Sequence, residues 1–82
     1  MKGTDMSGLP KVDMMQTGER IAELRRKNNM TVADLQELFG FNTPQAIYKW
    51  MRGETMPTVD NLVILAYAFH VSIADIVVVT RT

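Results

Sequence analysis

The side chains best placed for chemistry are Pro44, Gln45, Tyr48, Lys49 and Arg52, and the chemistry they suit is recognition, not bond making. The amide of Gln45 can take adenine through a bidentate hydrogen bond, a contact worth about 1–3 kcal/mol of discrimination. It can also be an ordinary polar residue of a first helical turn. Lys49 suits guanine or phosphate, and phosphate is favoured because most protein–DNA hydrogen bonds go to the backbone. Tyr48 can pack on a thymine methyl, bond a phosphate, or cover the stem of Lys49. Pro44 lacks a donor and offers apolar contact alone. Arg52 is placed for a phosphate on the groove wall, and Thr31, Thr43 and Thr55 complete the expected phosphate contacts.

The remaining chemistry-bearing residues argue against catalysis. The chain has a single histidine and no cysteine. His70 has no evident partner for acid–base work, which needs a paired set of groups in a pocket. Disulfides and thiolate metal sites are excluded, and a zinc site would lack ligands. No enzyme activity, metal or cofactor is therefore expected. Trp50 has the rigid surface that base stacking would use, but its helical spacing from Ile47 assigns it to a core. The seven methionines read as flexible filler.

Eighty-two residues allow one domain with a modest core, since a chain this short buries only about 60% of its unfolded surface. No segment approaches the roughly 20 apolar residues of a membrane span, and MKGTDMSGLPKVD is no secretory signal. A reducing cytoplasm, close to the nucleoid, is the expected location. Nine basic and nine acidic residues give zero net charge, unusual for a nucleic-acid binder. The charges are unevenly placed, however. Arg20, Arg25, Arg26 and Lys27 crowd one stretch, and Lys49 and Arg52 another. Asp34, Asp60 and Asp75 fall at expected helix starts.

Hydrophobic period and capping signals divide the chain into a flexible arm over 1–12, a domain over 13–79 and a tail over 80–82. Asp13 and Gln16 have capping-box spacing, opening a helix whose stripe is Met14, Gly18, Ile21 and Leu24/Arg25 and which ends at Asn28-Asn29. Thr31 and Asp34 open a second helix, with Val32, Leu35 and Leu38/Phe39 inward, stopping at Gly40. Thr43 caps a third, with Pro44 at its first position, Ala46, Ile47, Trp50 and Met51 inward, and Gly53 as terminator. Thr58 caps a fourth carrying Val59, Leu62, Leu65, Ala66 and Phe69. Ser72 and Asp75 form a box for a short fifth with Ile73, Ile76 and Val77. The β-branched run Val77–Val79 sits poorly in a helix and leaves as an extended tail. The expectation is an all-α, five-helix domain.

The segment from Thr31 to Gly53 meets the needs of a helix-turn-helix: a capped helix, an abrupt glycine stop, and a second helix anchored behind by Ile47 and Trp50 with its outer face open. Five pieces occur in order: G-E-R-I-A-E-L-R at 18–25, M-T-V-A-D-L at 30–35, I-Y-K-W-M-R-G-E at 47–54, Pro57-Thr58, and L-A-Y-A-F-H-V-S-I-A-D-I at 65–76. Over about residues 16–77 the chain resembles the lambda-repressor-like, or XRE-type, helix-turn-helix family. The resemblance implies a five-helix domain that binds a palindromic double-stranded DNA operator as a dimer and regulates transcription. The chain also departs from the family. Val32 replaces a phosphate-contacting glutamine, and Gln36 replaces a small residue. The turn from Gly40 to Ile47 is one residue longer, and Met51 stands where a glutamate usually pairs with Arg25. His70 takes the place of a C-cap glycine and so needs a positive φ.

The expected function is thus a sequence-specific transcriptional regulator, a repressor, reading the major groove with the helix over 43–52. The expected homodimer forms through Ile76, Val77, Val78 and Val79, which would otherwise leave an apolar patch. The alternative is an antitoxin-like module whose main partner is a protein, docking on the arm or the apolar tail.

Overall fold

The computed structural model describes residues 8–81, so most of the arm expected over 1–12 lies outside the described residues. In chain order the elements are strand β1 (Pro10–Val12), helices α1 (Met14–Lys27), α2 (Val32–Phe39), α3 (Gln45–Met51) and α4 (Val59–Phe69), a 3₁₀ turn (Ile73–Asp75), and strand β2 (Val79–Arg81). β1 and β2 pair antiparallel, with Pro10 opposite Arg81, Lys11 opposite Thr80 and Val12 opposite Val79. The core is Ile21 and Leu24 of α1, Leu35 of α2, Ile47 and Trp50 of α3, Leu62, Leu65 and Phe69 of α4, and Ile76.

The caps form largely where the sequence signals them. Thr31 and Asp34 exchange both bonds of a capping box, as do Ser72 and Asp75. The Thr58 hydroxyl accepts from the Asn61 N–H at 3.2 Å. At Asp13 the box is one-sided. Its carboxylate accepts from the Gln16 N–H at 2.8 Å and from the Gln16 side-chain amide at 2.9 Å. The Asp13 N–H instead donates to the Val78 carbonyl at 2.8 Å, so this cap joins a helix to the strand pair. His70 does adopt the left-handed conformation, with φ 58°.

Two expectations of architecture are corrected. The domain is not all-α with five helices. Among the described residues it has four α-helices, and the fifth is reduced to the 3₁₀ turn followed by β2. The chain after Ile76 is drawn away from helix geometry by partners far off in sequence. The buried Thr17 hydroxyl accepts from the Val78 N–H at 2.9 Å, Arg20 Nε donates to the Asp75 carbonyl at 2.7 Å, and β1 supplies the ladder. Consequently Pro10–Val12 belongs to a strand and not to an arm, and Thr80 and Arg81 belong to β2 and not to a loose tail.

The inner faces also differ in detail. Leu38 and Val59, expected inward, are exposed. Val59, Val63 and Tyr67 form a line at i, i+4, i+8 along the outside of α4, with relative exposures of 72%, 52% and 79%.

What positions α3 is its approach to α1. A Cβ at Gly18 would lie 2.6 Å from the Met51 carbonyl oxygen, and closer still to that of Trp50. Gly53, at φ +74°, passes equally near the Met15 backbone, where a Cβ would lie 2.8 Å from the Met15 Cα. Only residues without a side chain fit either crossing.

Two substitutions test this account by chemical denaturation. Gly18→Ala should lower stability by about 2–3 kcal/mol, because the obstructing atoms are backbone and cannot swing aside. His70→Gly should raise it by about 0.5–1 kcal/mol, since glycine adopts the left-handed cap without the Cβ penalty but loses more chain entropy on folding.

Candidate nucleic-acid interface

α3 spans seven residues and starts slightly later than expected. Its N-cap is Pro44, not Thr43: the Pro44 carbonyl accepts the first helical bond, from the Tyr48 N–H at 3.1 Å, and no side chain caps the end. Thr43 stays in the turn, exposed, and its hydroxyl is not consumed as a cap. Arg52 is the C-cap.

The outward face is the one expected. Gln45, Tyr48, Lys49 and Arg52 are exposed at i, i+3, i+4 and i+7, while Ile47 and Trp50 are buried behind them. Pro44 is half-buried and offers only part of its ring. The structure therefore brings an amide, a phenol and two cations onto one short helical face.

The long turn before α3 is braced in a way the sequence reading missed. Phe41 stacks on Phe39 with centroids 5.1 Å apart, and both rings meet Trp50 edge-on at 5.9 and 5.4 Å. The Gln36 side-chain amide donates to the Phe41 carbonyl at 3.2 Å, and the Phe41 N–H returns to the Gln36 carbonyl at 3.1 Å. The two departures from the family pattern are thus one device, in which the larger residue at 36 holds the extra residue of the turn. The signal available in the sequence was Phe39 and Phe41 flanking the helix-ending glycine.

Several cations are already engaged within the chain. Arg52 Nε pairs with the Glu54 carboxylate, both partly exposed. Hydrogen bonding to Arg52 holds the Glu54 carboxyl below its ordinary range, with the charges of Arg52 and Lys49 adding to the effect. Arg20 lies 3.5 Å from Glu23 and also donates to Asp75. Arg25 donates to the Met30 carbonyl at 2.9 Å, while its buried Nε has no partner among the described residues. Arg26 and Lys27 are exposed at the end of α1, where they complement the helix dipole.

The threonines divide similarly. Thr31 is exposed, but its N–H donates to the Asp34 carboxylate at 2.7 Å and its hydroxyl accepts from the Asp34 N–H at 3.0 Å. Only the hydroxyl hydrogen is left for a phosphate. The same bonds, the backbone one foremost, hold the Asp34 carboxyl below its ordinary range. Thr55 is exposed, with its N–H 3.5 Å from the Lys49 carbonyl oxygen. Glu54 and Asp34 thus sit against two candidate contact residues, Arg52 and Thr31, and the sequence reading assigned neither to the interface. The R-G-E sequence, which returns an acid beside Arg52 across Gly53, was the cue for the first.

Of the expected dimer residues, Ile76 is corrected. It is fully buried in its own chain and has no surface to offer a second. Val77 and Val78 are half-buried, and Val79 is exposed on β2. Burial of Ile76 follows from the 3₁₀ turn, which rolls it into the core beside α4.

A capped helix, a tight turn and a short helix with a polar outer face on an apolar seat define the helix-turn-helix class. Residues 21–76 match a family model described as helix-turn-helix. The chain belongs to the XRE-type helix-turn-helix family of DNA-binding transcription regulators. Among solved structures it is similar to the restriction-modification controller protein C.AhdI from Aeromonas hydrophila, with a TM-score of 0.69 and 23% identity over 78% of this chain and 96% of that one. At that identity the likeness is one of fold. No curated protein sequence matches. Among the described residues no helix is long and apolar enough to cross a membrane.

Glu54 gives the interface a direct test. Glu54→Gln should raise low-salt affinity for arbitrary duplex DNA severalfold and steepen the slope of log affinity against log salt by about 1, as Arg52 turns to a phosphate. Fluorescence anisotropy across a salt series measures both.

Proposed function

We propose that this protein is a sequence-specific transcriptional repressor, not an enzyme, which occupies a palindromic DNA operator as a homodimer and reads it with α3. The observation that carries this reading is the outward row of Gln45, Tyr48, Lys49 and Arg52 on a helix fixed from behind by Ile47 and Trp50. Gln45, in the first turn, takes a base edge. Lys49 and Arg52 meet phosphates on the groove walls, with Thr43 and Thr55 beside them and Thr31 contributing through its hydroxyl. Tyr48 and the exposed part of Pro44 supply apolar contact to the groove. A two-fold dimer matches the symmetry of a palindrome, its half-sites separated by whole helical turns. Such a regulator acts in the cytoplasm, at the nucleoid, and needs no cofactor.

The alternative, an antitoxin-like interaction module, is favoured by one observation: the exposed row Val59, Val63 and Tyr67 on α4. That row is on α4, and not on the arm or the tail where a protein partner was expected to dock.

Selection of bound DNA from a random pool separates the two. The unmodified chain should enrich a palindromic motif. Gln45→Ala should relax one position in each half-site, and Lys49→Ala should weaken binding to all sequences together. No enrichment at low salt, where DNA affinity is greatest, overturns the regulator in favour of the interaction module.

A further inference from the structure

We propose that the outer edge of β2 pairs with β2 of a second copy of this chain, in antiparallel register centred on Thr80, to make a continuous four-stranded sheet across the dimer axis. This rests on the dimer reading above and gives it a surface. The hydrogen-bond parity of the strand pair fixes which groups point outward. The Asp13 N–H donates to the Val78 carbonyl across the pair. Donors alternate sides along a strand, so Lys11 and Thr80 also face inward and bond each other. The backbone groups of Val79 and Arg81 then face away from β1. Outside the strand ladder, neither N–H has an acceptor among the described residues.

That edge is complementary to itself. A two-fold axis at Thr80 sets Val79 opposite Arg81 of the partner subunit and Arg81 opposite the partner's Val79. Both are pairs of outward residues, so four backbone bonds close. The β1 edge cannot do the same. Its outward residues are Pro10 and Val12, and Pro10 has no N–H, so a matching pairing about Lys11 closes only two. The sequence thus blocks one edge of the ribbon and leaves the other open. Two strands alone make a marginal sheet, and four do not. The exposed Val79 side chain comes to lie beside the aliphatic stem of the partner's Arg81.

The absence of cysteine from the chain makes the register testable with single thiols. In the proposed arrangement the two Thr80 residues form a directly opposed, non-hydrogen-bonded pair with Cα atoms about 4.5 Å apart, within the span a disulfide bridges. Thr80→Cys in a glutathione redox buffer, at tens of micromolar, should become mostly covalent dimer on a non-reducing gel. Tyr67→Cys, on the exposed row of α4, should stay monomeric. Sedimentation equilibrium supplies a second readout. Arg81→Pro removes two inter-chain bonds by symmetry and should weaken the dimer about thirtyfold, whereas Arg81→Ala keeps the N–H, loses only the stem contact, and should weaken it far less.

Cross-linking at Tyr67 in place of Thr80, or a dimer indifferent to Arg81→Pro, overturns this surface. If the pool selection still returns a palindrome, the regulator reading survives that failure. An unmodified chain that sediments as a monomer, with no Thr80→Cys product, overturns the pairing outright. A Thr80→Cys dimer from a chain that enriches no DNA upholds the pairing and sinks the regulator reading alone.

Discussion

The crossing of α1 and α3 is the contact on which the outward face of α3 depends. At Gly18 the helix presents bare backbone to the carbonyls of Trp50 and Met51, and at Gly53 the chain leaving α3 presents bare backbone to Met15. Two helices can approach so closely only where neither contributes a side chain. The proximity is what lets Ile47 and Trp50 reach the core from a helix of only seven residues. A helix so short has little stability of its own, so its direction comes from this seat. In the proposed function α3 recognises base edges, which tolerate placement errors of about 0.5 Å, and on that proposal the constraint reaches from packing to function.

The turn into α3 solves a related problem. An added residue widens the conformations open to a loop and would blur the pose of the helix that follows. Here the Phe39–Phe41–Trp50 cluster and the Gln36 amide remove that freedom from two sides, one by packing and one by a hydrogen bond. Arg25 shows a different adjustment. Where Met51 replaces its usual acidic partner, the guanidinium turns to the Met30 carbonyl and ties the end of α1 to the start of α2. A residue type kept by the family motif thereby serves another junction.

Zero net charge takes on meaning once partners are assigned. Arg20 and Arg52 each have a carboxylate partner, Arg25 is bonded to a carbonyl, and the Asp34 carboxylate lies next to Thr31. The carboxylates of Glu23, Asp34 and Glu54 subtract from the uniform attraction to phosphate that dominates the non-specific binding of nucleic acids. Discrimination is a ratio of specific to non-specific affinity, so restraint in the second term suits the proposed dimer, which would rely on base contacts and two-fold avidity. Exposed ion pairs of this kind add little to stability, and their consequence lies in binding.

Much of the fold was legible in the sequence because caps are local. Thr31, Thr58 and Ser72 act within three residues of themselves, and the period that placed Ile47 and Trp50 inside and Gln45, Tyr48, Lys49 and Arg52 outside is set by helix geometry alone. The positive φ at His70 followed from the family resemblance, which puts a C-cap glycine at that position. The strand pair was not legible. Pro10–Val12 is too short to show a period, and its partner lies some seventy residues away, joined by backbone bonds that carry no side-chain signature. The β-branched run at Val77–Val79 showed that the fifth helix would end, but not that Asp13, Thr17 and Arg20 would hold the chain that leaves it. Whether Ile76 faced a partner or the core, and whether Leu38 and Val59 faced in or out, was decided only when the helices packed, because an apolar residue at the border of a stripe is buried or exposed by its neighbours and not by its own type.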